Sequence, residues 1–190
     1  MQKIPSLFQR NYDGDRLVRD ELVPGTEWVQ AGEGIATRKW DGTCCMIRDG
    51  KLYKRYEVKP GKRPPQGFEA ANDIDENTGK QQGWLPVGDG PEDQYHREAF
   101  VSPTVLPDGT YELVGPKIQG NVEDYPTHVL LRHGQIGFHD EPPRTFAELK
   151  AWFESHAYVE GIVWHHLDGR MVKIKLKDFC IKRSSDTQPQ

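Results

Sequence analysis

The sequence predicts an α+β fold built mainly from antiparallel strands. Its 190 residues contain six Asp-Gly pairs, at positions 13–14, 41–42, 49–50, 89–90, 108–109 and 168–169. An Asp-Gly pair between two alternating runs is a strong hairpin signal, because both turn positions tolerate positive φ. Helical periodicity, by contrast, is clear in one segment alone. We therefore expect a sheet-rich chain with few helices.

Three of the Asp-Gly pairs lie between runs that alternate well enough to form hairpins. The three predicted hairpins pair Thr43–Arg48 with Lys51–Tyr56, Val101–Leu106 with Thr110–Val114, and Val159–His165 with Arg170–Leu176.

The clearest predicted helix is Thr145–His156. Its apolar residues recur at helical spacing and are Phe146, Leu149, Trp152 and Phe153. Thr145 fits an N-cap, and Glu148 three residues later would complete a capping box. A weaker pattern predicts a second helix near Arg16–Leu22.

Between Glu57 and Ser102 the chain is rich in Pro, Gly, Asn, Asp and Gln. Unstructured segments of that length inside a domain are usually functional or disordered, although Trp84 indicates that part of this one packs down. The last six residues, 185–190, are predicted to be a flexible tail. The remainder, 1–184, is expected to form a single domain.

Composition narrows the class of protein. No apolar run approaches the roughly 20 residues that cross a bilayer, and the N-terminus lacks a signal-peptide core. Three cysteines, of which Cys44 and Cys45 are adjacent, do not make a disulfide framework. We expect a reduced, cytoplasmic protein without membrane association or an obligate protein partner. The net charge of -4 conceals basic blocks at Lys51–Arg63 and Arg170–Arg183, which are either solvated faces or a polyanion surface.

Lys39 is the candidate nucleophile. It follows a predicted strand at Gly34–Arg38 and begins the run Lys39–Thr43, which leads into the first hairpin. A lysine whose pKa is depressed by burial or nearby cations can attack a phosphorus atom and form a covalent adduct. The alternative is an ordinary surface turn that contains a lysine, and the short motif alone does not separate the two.

The third hairpin carries further charged candidates. Lys173, Lys175 and Lys177 alternate with apolar residues, so they are expected to share one strand face that could hold phosphates. An edge strand protected by lysines would have the same pattern. Glu160, on the partner strand, and Glu112, on the second hairpin, each need a cation or a metal ion if they are buried.

Four of these pieces, in order, resemble the nucleotidyl-transfer motifs I, III, IV and V of the covalent nucleotidyltransferases, the superfamily of DNA ligases, RNA ligases and mRNA-capping enzymes. The pieces are Lys39–Gly42, Tyr111–Val114, Glu160–Val163 and Lys173–Lys175, with Lys54–Tyr56 in the place of motif Ia. The resemblance covers roughly Gly34 to Phe179 and is greatest to small 5′–3′ RNA ligases. Thr43 after the motif I glycine is typical of RNA ligases, and the 15 residues after Lys175 are too few for an OB-fold.

The resemblance implies an ATP-dependent RNA ligase that requires Mg²⁺, with Mn²⁺ able to replace it, and joins RNA 5′-phosphate and 3′-hydroxyl ends. It implies these roles: Lys39 as the adenylylated nucleophile, Arg55 on the nucleotide and later the 5′-phosphate, Glu112 on the ribose, Phe138 (or Phe146) stacked on adenine, Glu160 on the metal, and Lys173 and Lys175 on the α-phosphate.

Several alternatives stay open. Thr37-Arg38 stands where some relatives have an acidic residue that reads the adenine amino group, which leaves GTP as an alternative to ATP. A DNA nick ligase, a guanylyltransferase or a non-catalytic nucleic-acid-binding module would share much of the pattern. The histidines, including His133, are interpreted as surface or packing residues, and Cys44 and Cys45 as small hydrophobic residues.

Overall fold

A computed structural model describes residues 4–101 and 106–184. In chain order the strands are β1 Phe8–Arg10, β2 Val18–Leu22, β3 Ile35–Lys39, β4 Thr43–Arg48, β5 Lys51–Val58, β6 Glu69–Ala70, β7 Gln81–Pro86, β8 Gly109–Val114, β9 Val129–Arg132, β10 Gly161–His165 and β11 Met171–Lys175. The α-helices are α1 Glu27–Gln30, α2 Gln94–Phe100 and α3 Phe146–Ser155. Short 3-10 turns span Pro91–Asp93, Gln119–Asn121 and Leu176–Phe179.

Every pairing between these named strands is antiparallel, and the helices are few. The α+β class predicted from the turn signals is therefore confirmed. Within the described ranges, no helix combines the length and the apolar character that a membrane crossing requires.

The chain divides into two compact units. The central unit contains the described residues of Asp41–His133, and the terminal unit contains residues 4–40 together with 134–184. The chain passes from one unit to the other after Trp40 and after His133. That residues 1–184 act as one domain stays a prediction.

The central unit is a six-stranded sheet in the order β6-β7-β5-β4-β8-β9. One face of this sheet is apolar and buries Cys45, Ile47, Tyr111 and Leu113. Alternation along each strand places Arg55 and Glu112 on the other face, together with the buried rings of Tyr53 and Trp84, and we call this the polar face for its charged residues.

The terminal unit contains a three-stranded sheet, β11-β10-β3, and the two-stranded sheet β1-β2. Helix α3 packs Leu149 and Phe153 into a core with Ile162, Trp164 and Ile174. The predicted helix at Thr145–His156 is confirmed, and Thr145 is its N-cap. The predicted capping box is not formed: the Thr145 hydroxyl donates to the Glu148 carboxylate at 2.6 Å and accepts no backbone N–H.

The first predicted hairpin is confirmed as β4 and β5, with Arg48 opposite Lys51 and the turn residues Asp49 and Gly50 both at positive φ. The third is confirmed as β10 and β11, with His165 opposite Met171. Its second strand ends at Lys175, one residue before the predicted end at Leu176, because Leu176–Phe179 form a 3-10 turn that buries Leu176. Lys177 lies in this turn, so the expectation that it shares the strand face of Lys173 and Lys175 is wrong.

The second predicted hairpin is wrong as a pairing, because both edges of its second strand are occupied by other strands. Strand β8 covers its predicted strand Thr110–Val114 and pairs with β4 and β9. In the former half, Val101 and Leu106 belong to no strand and residues 102–105 lie outside the described residues, as does the predicted tail at 185–190.

The predicted helix at Arg16–Leu22 is wrong. The segment forms β2, whose Leu22 lies opposite Phe8 of β1. Pairing with a preceding strand decided the structure there, over a weak helical pattern. The polar segment after Glu57 is more ordered than its composition indicated, since it contains β7 with buried Trp84 and also α2.

Candidate active site

The terminal unit brings two of the predicted lysines into contact with one predicted carboxylate. Lys39 is the last residue of β3, and Lys175 is the last residue of β11. Both lie opposite Gly161 of the central strand β10, so they flank it from the two sides. Glu160 immediately precedes Gly161 and reaches both lysines. We call Lys39, Glu160, Lys173 and Lys175 the lysine cluster.

The contacts within the lysine cluster are short. Lys39 Nζ donates to Glu160 Oε2 at 2.5 Å, and Lys175 Nζ donates to Glu160 Oε1 at 2.9 Å. Burial alone would raise the pKa of the Glu160 carboxyl, but the two ammonium groups outweigh it and the pKa is lowered. Glu160 is therefore ionised at neutral pH and holds the two lysines at one point.

Lys173 lies two residues before Lys175 on the same face of β11 and opposite Val163. No carboxylate lies within 4.0 Å of its ammonium group in residues 4–101 and 106–184. Burial, followed by the charges of Lys175 and Lys39, lowers the pKa of Lys173 to about 8 from 10.5. The terminal unit therefore contains a concentrated positive charge that one carboxylate does not neutralise.

Gly161 makes this arrangement sterically feasible. A Cβ atom at position 161 would lie 2.4 Å from the backbone oxygen of Ile174 on β11. A side chain there would force β10 and β11 apart, and with them the two strand ends that carry Lys39 and Lys175. The glycine in the Glu-Gly motif is thus required by the close approach of two strands.

The central unit places Glu112 and Arg55 on the polar face of its sheet. Cys45 lies opposite Lys54 on β5 and opposite Tyr111 on β8. Side chains alternate along a strand, so the adjacent residues Cys44, Arg55 and Glu112 point to the opposite face of the sheet. Arg55 Nε donates to Gln82 Oε1 at 3.1 Å, and its guanidinium lies over the Trp84 ring at 5.2 Å.

Glu112 is 8% exposed and held through both oxygens. Its Oε1 accepts the backbone N–H of Gly42 at 3.1 Å, and its Oε2 lies 2.8 Å from His133 Nε2. Gly42 is needed for this contact, because a Cβ there would lie 2.2 Å from the backbone oxygen of Leu113. The motif that begins at Lys39 is therefore tied to β8 by its glycine.

Lys54, in the predicted motif Ia position, has a different environment from Arg55. It faces the apolar side of the sheet, where its ammonium donates to Asp93 Oδ1 at 2.5 Å. Burial would raise the pKa of Asp93, but the hydrogen bond from Lys54 contributes to a net lowering. This pair is a structural ion pair beneath α2, and Arg55 remains the residue of that motif on the polar face.

Phe138 is positioned beside β3. The Arg38 N–H donates to Ile136 O at 2.9 Å, and Gly137 forms a bridge with Thr37. Phe138 is half-buried and meets Trp152 edge-on, with ring centroids 5.4 Å apart. The alternative, Phe146, is engaged edge-on by both Phe8 and Phe179 in the core.

Three contributing residues were missed by the sequence reasoning. Asp178, in the 3-10 turn after β11, accepts the backbone N–H of Lys175 at 3.0 Å and a bond from Arg10 at 2.6 Å. Glu123 Oε1 accepts the Asp41 N–H at 2.7 Å within the motif of Lys39. His133 contacts Glu112. The contacts of Asp178 with Arg10, of Glu123 with Asp41 and of His133 with Glu112 join distant parts of the chain, so the neighbouring sequence gave no signal for them.

A family model for RNA ligase 1 matches residues 90–187, just over half of the chain. RNA ligase 1 of Rattus norvegicus is 26% identical over 212 residues, covering 74% of this chain and 65% of the rat protein. RNA ligase 1 of Danio rerio is 26% identical over 256 residues, covering 91% of this chain and 79% of the fish protein. The match thus spans just under two thirds of the rat relative.

These matches and the antiparallel α+β fold place the chain in the class of RNA ligase-type nucleotidyltransferases. Within that class, the chain belongs to the RNA ligase 1 family. The resemblance predicted from the four ordered motifs is confirmed at the level of the family.

Proposed function

We propose that this protein is an ATP-dependent RNA ligase that works through a covalent lysyl-AMP on Lys39. The observation that carries the proposal is the lysine cluster, in which Lys39 and Lys175 share Glu160 within 2.9 Å beside a lysine of depressed pKa. Membership of the RNA ligase 1 family supports RNA as the polynucleotide.

In the first step, Lys39 Nζ attacks the α-phosphorus of ATP as the free amine, having released its proton to water. A P–N bond forms while the bond to the β-phosphate breaks, and pyrophosphate leaves. Lys173 and Lys175 neutralise the charge that develops on the α-phosphate and the leaving group. The net positive charge of the lysine cluster suits this task.

The remaining roles concern the nucleotide and the metal ion. Arg55 and Glu112 bind the nucleotide, Glu112 through the ribose hydroxyls, and Phe138 stacks on the base. Glu160 fits Mg²⁺ because a carboxylate combined with phosphate oxygens is the usual ligand set of that ion, and Mn²⁺ accepts the same donors. When bound, the ion would neutralise phosphate charge.

RNA enters in the second step. Its 5′-phosphate attacks the adenylyl phosphorus, so AMP passes to the RNA end and Lys39 is regenerated as an amine. In the third step the 3′-hydroxyl of the other end attacks the activated 5′-phosphate, the phosphodiester bond forms, and AMP leaves. Arg55, whose guanidinium suits bidentate phosphate binding, holds the 5′-phosphate.

Intact mass spectrometry tests the first step. After incubation with Mg²⁺ and ATP, we expect a mass gain of one AMP that added pyrophosphate removes. Lys39→Ala should show no adduct, whereas Lys177→Ala, a matched control at an exposed lysine, should label as the unmodified protein does. An adduct that survives in Lys39→Ala would overturn the assignment.

The same assay separates the alternatives. A GMP adduct formed in preference to AMP would identify capping-type chemistry, and sealing of nicked DNA in preference to nicked RNA would identify a DNA ligase. If neither nucleotide labels the protein, and RNA binding is salt-sensitive but independent of Lys39, the chain is a binding module and the proposal fails.

A further inference from the structure

We propose that Cys44, Glu112 and His133 form a binding site for Zn²⁺ that controls access of the nucleotide to Glu112. The regulatory part of this inference rests on the proposed function, whereas the metal site itself does not. Each residue offers one donor atom, and the three atoms lie within 4.8 Å of one another: the Cys44 Sγ, a Glu112 carboxylate oxygen and a His133 ring nitrogen. We call these three residues the Cys-Glu-His site.

The sheet brings the three side chains together. Cys44 of β4 lies directly opposite Glu112 of β8, so their side chains leave the sheet on the same face. His133 follows β9, and its backbone N–H donates to Thr110 O at 3.0 Å, which continues the β8-β9 pairing by one residue. Thr110 and Glu112 are two residues apart, so His133 joins the same face.

Two of the three donors are already oriented by neighbouring groups. The Gly42 N–H holds Glu112 Oε1, which leaves Oε2 directed towards His133. His133 Nδ1 lies 3.0 Å from Thr110 Oγ1. A partner on Nδ1 fixes the ring and leaves Nε2 as the metal-binding nitrogen, which is the usual arrangement of histidine ligands.

The donor set selects the ion. A thiolate, an imidazole and a carboxylate match the preference of Zn²⁺, whereas Mg²⁺ takes oxygen ligands. Zinc–ligand distances of about 2.0–2.3 Å in a tetrahedron require donors roughly 3.5 Å apart. The 2.8 Å contact between Glu112 and His133 therefore has to open slightly, and the proton shared there is displaced. Three protein ligands leave a fourth position for water.

Occupancy of this site has a direct consequence for the ligase reaction. Glu112 is the residue that we assign to the ribose hydroxyls, and a carboxylate oxygen bound to Zn²⁺ no longer accepts their hydrogen bonds. Zn²⁺ and the nucleotide thus compete for one side chain. Cys44 takes no part in the proposed nucleotide binding, so its removal should weaken Zn²⁺ without weakening ATP.

Cobalt spectroscopy tests the metal site independently of catalysis. Co²⁺ added to the untagged, reduced protein should produce the visible bands of a four-coordinate ion and a near-ultraviolet thiolate-to-cobalt band, and one equivalent of Zn²⁺ should remove both. Cys44→Ser should lose the thiolate band, and His133→Gln should weaken binding 10- to 100-fold. Cys180→Ser, at an exposed cysteine of the terminal unit, is the matched control and should bind as the unmodified protein does.

A thiolate band that persists in Cys44→Ser, or Co²⁺ that binds to the folded protein without one, would overturn the site. Circular dichroism of each variant establishes that it is folded. Serine has nearly the same shape as cysteine, so Cys44→Ser is expected to fold. If His133→Gln does not fold, the thiolate band of Cys44→Ser still decides whether the metal site exists.

Adduct formation tests the regulatory part. At fixed ATP and excess Mg²⁺, increasing Zn²⁺ should suppress the AMP adduct in the unmodified protein and in Cys180→Ser, and a chelator should restore it. Cys44→Ser should label normally without Zn²⁺ and need at least 10-fold more Zn²⁺ for the same suppression. Equal suppression in Cys44→Ser would place the inhibitory zinc elsewhere and overturn the competition. Absence of any adduct without Zn²⁺ would refute the proposed function, and the cobalt result would then decide the metal site alone.

Discussion

The ammonium of Lys173 is held where its positive charge is unfavourable. It is half-buried beside Lys39 and Lys175, and its pKa is lowered to about 8. An unfolded lysine binds its proton more tightly, with a pKa of 10.5, so the cost to the folded state is fully present below pH 8. That cost is relieved as the pH rises from 8 towards 10.5. The positive charge of Lys173 therefore lowers the stability of the folded protein at neutral pH, and under the proposed function this same charge binds phosphate.

We therefore expect Lys173→Met to stabilise the protein at pH 7. The gain in free energy of unfolding should be on the order of 1 kcal/mol, after discounting for the part of the ammonium that stays solvated. Urea denaturation at pH 7 and at pH 10 measures it, and the gain should shrink at the higher pH. Lys177→Met, at an exposed lysine, should show no such pH dependence. A gain that does not change with pH would show that the charge of Lys173 is not its source.

Single residues also show how far sequence reasoning reaches. Lys39, Glu160 and Lys175 could be selected as candidates in advance, because four ordered motifs resemble a known family, and the structure brings their side chains together. The roles assigned to these three residues stay predictions. The sequence did not show which of the two adjacent cysteines, Cys44 or Cys45, lies in the core. One is half-buried beside Glu112 and the other fully buried in the core, and the difference depends on which face of β4 is covered.

At the scale of the element, the close approach of β10 to β11 controls the lysine cluster. Gly161→Ala should lower the free energy of unfolding by about 1–3 kcal/mol, because the added methyl meets backbone that cannot rotate away. It should also reduce adduct formation, since Lys39 and Lys175 are both placed opposite residue 161. Chemical denaturation and intact mass spectrometry measure the two effects.

Gly137→Ala is the matched control for Gly161→Ala. Its Cβ would lie 3.6 Å from Ala36 O, an ordinary contact. It should therefore change stability by only a few tenths of a kcal/mol. Equal effects of the two substitutions would contradict the role assigned to strand approach.

The 3-10 turn after β11 fixes the end of that strand through Asp178. One oxygen of the buried Asp178 carboxylate accepts the Lys175 N–H and the other accepts the Arg10 guanidinium. In Asp178→Asn the amide N–H₂ replaces one of these oxygens, so either the Lys175 N–H or the Arg10 guanidinium faces another donor. We expect a loss of about 2–3 kcal/mol in a urea denaturation experiment. A double-mutant cycle with Arg10→Met should show coupling between the two positions, and additive losses would contradict a direct interaction.

Helices and strands were predicted correctly where neighbouring residues in the sequence determine them. The hairpins at Asp49-Gly50 and Asp168-Gly169 and the helix α3 all follow from neighbouring residues. The strand β2 was mistaken for a helix because its pairing with β1 is not visible in its own periodicity.

At the scale of the whole molecule, the terminal unit is assembled from two stretches of chain. Strand β3 pairs with β10, which follows the entire central unit in sequence, and the lysine cluster exists only after that closure. Such long-range pairing costs loop-closure entropy and is specified by the summed burial of the core. This is why the motifs predicted a family, while the contacts of Glu112 with His133 and of Arg10 with Asp178 required the structure.

Overall charge sets the conditions under which RNA can bind. With a net charge of -4, the protein as a whole repels a polyanion at pH 7, so affinity for RNA must come from local cations. Under the proposed function, Arg55 is one of these and contacts the 5′-phosphate. RNA with a 5′-phosphate should therefore bind more tightly than the same RNA with a 5′-hydroxyl, and both affinities should fall as salt is raised.

Arg55→Met should abolish the difference between the two RNA ends and reduce the slope of log K against log[salt] by about 0.7, the value for one single-strand phosphate contact. Arg48 of β4 pairs with Glu69 of β6, and Arg48→Met should leave both quantities unchanged. Fluorescence anisotropy with labelled RNA over a salt series measures them. If Arg55→Met weakens both RNAs equally, Arg55 contacts the RNA backbone and does not recognise the 5′ end, because only an end-specific contact distinguishes a terminal phosphate from a hydroxyl.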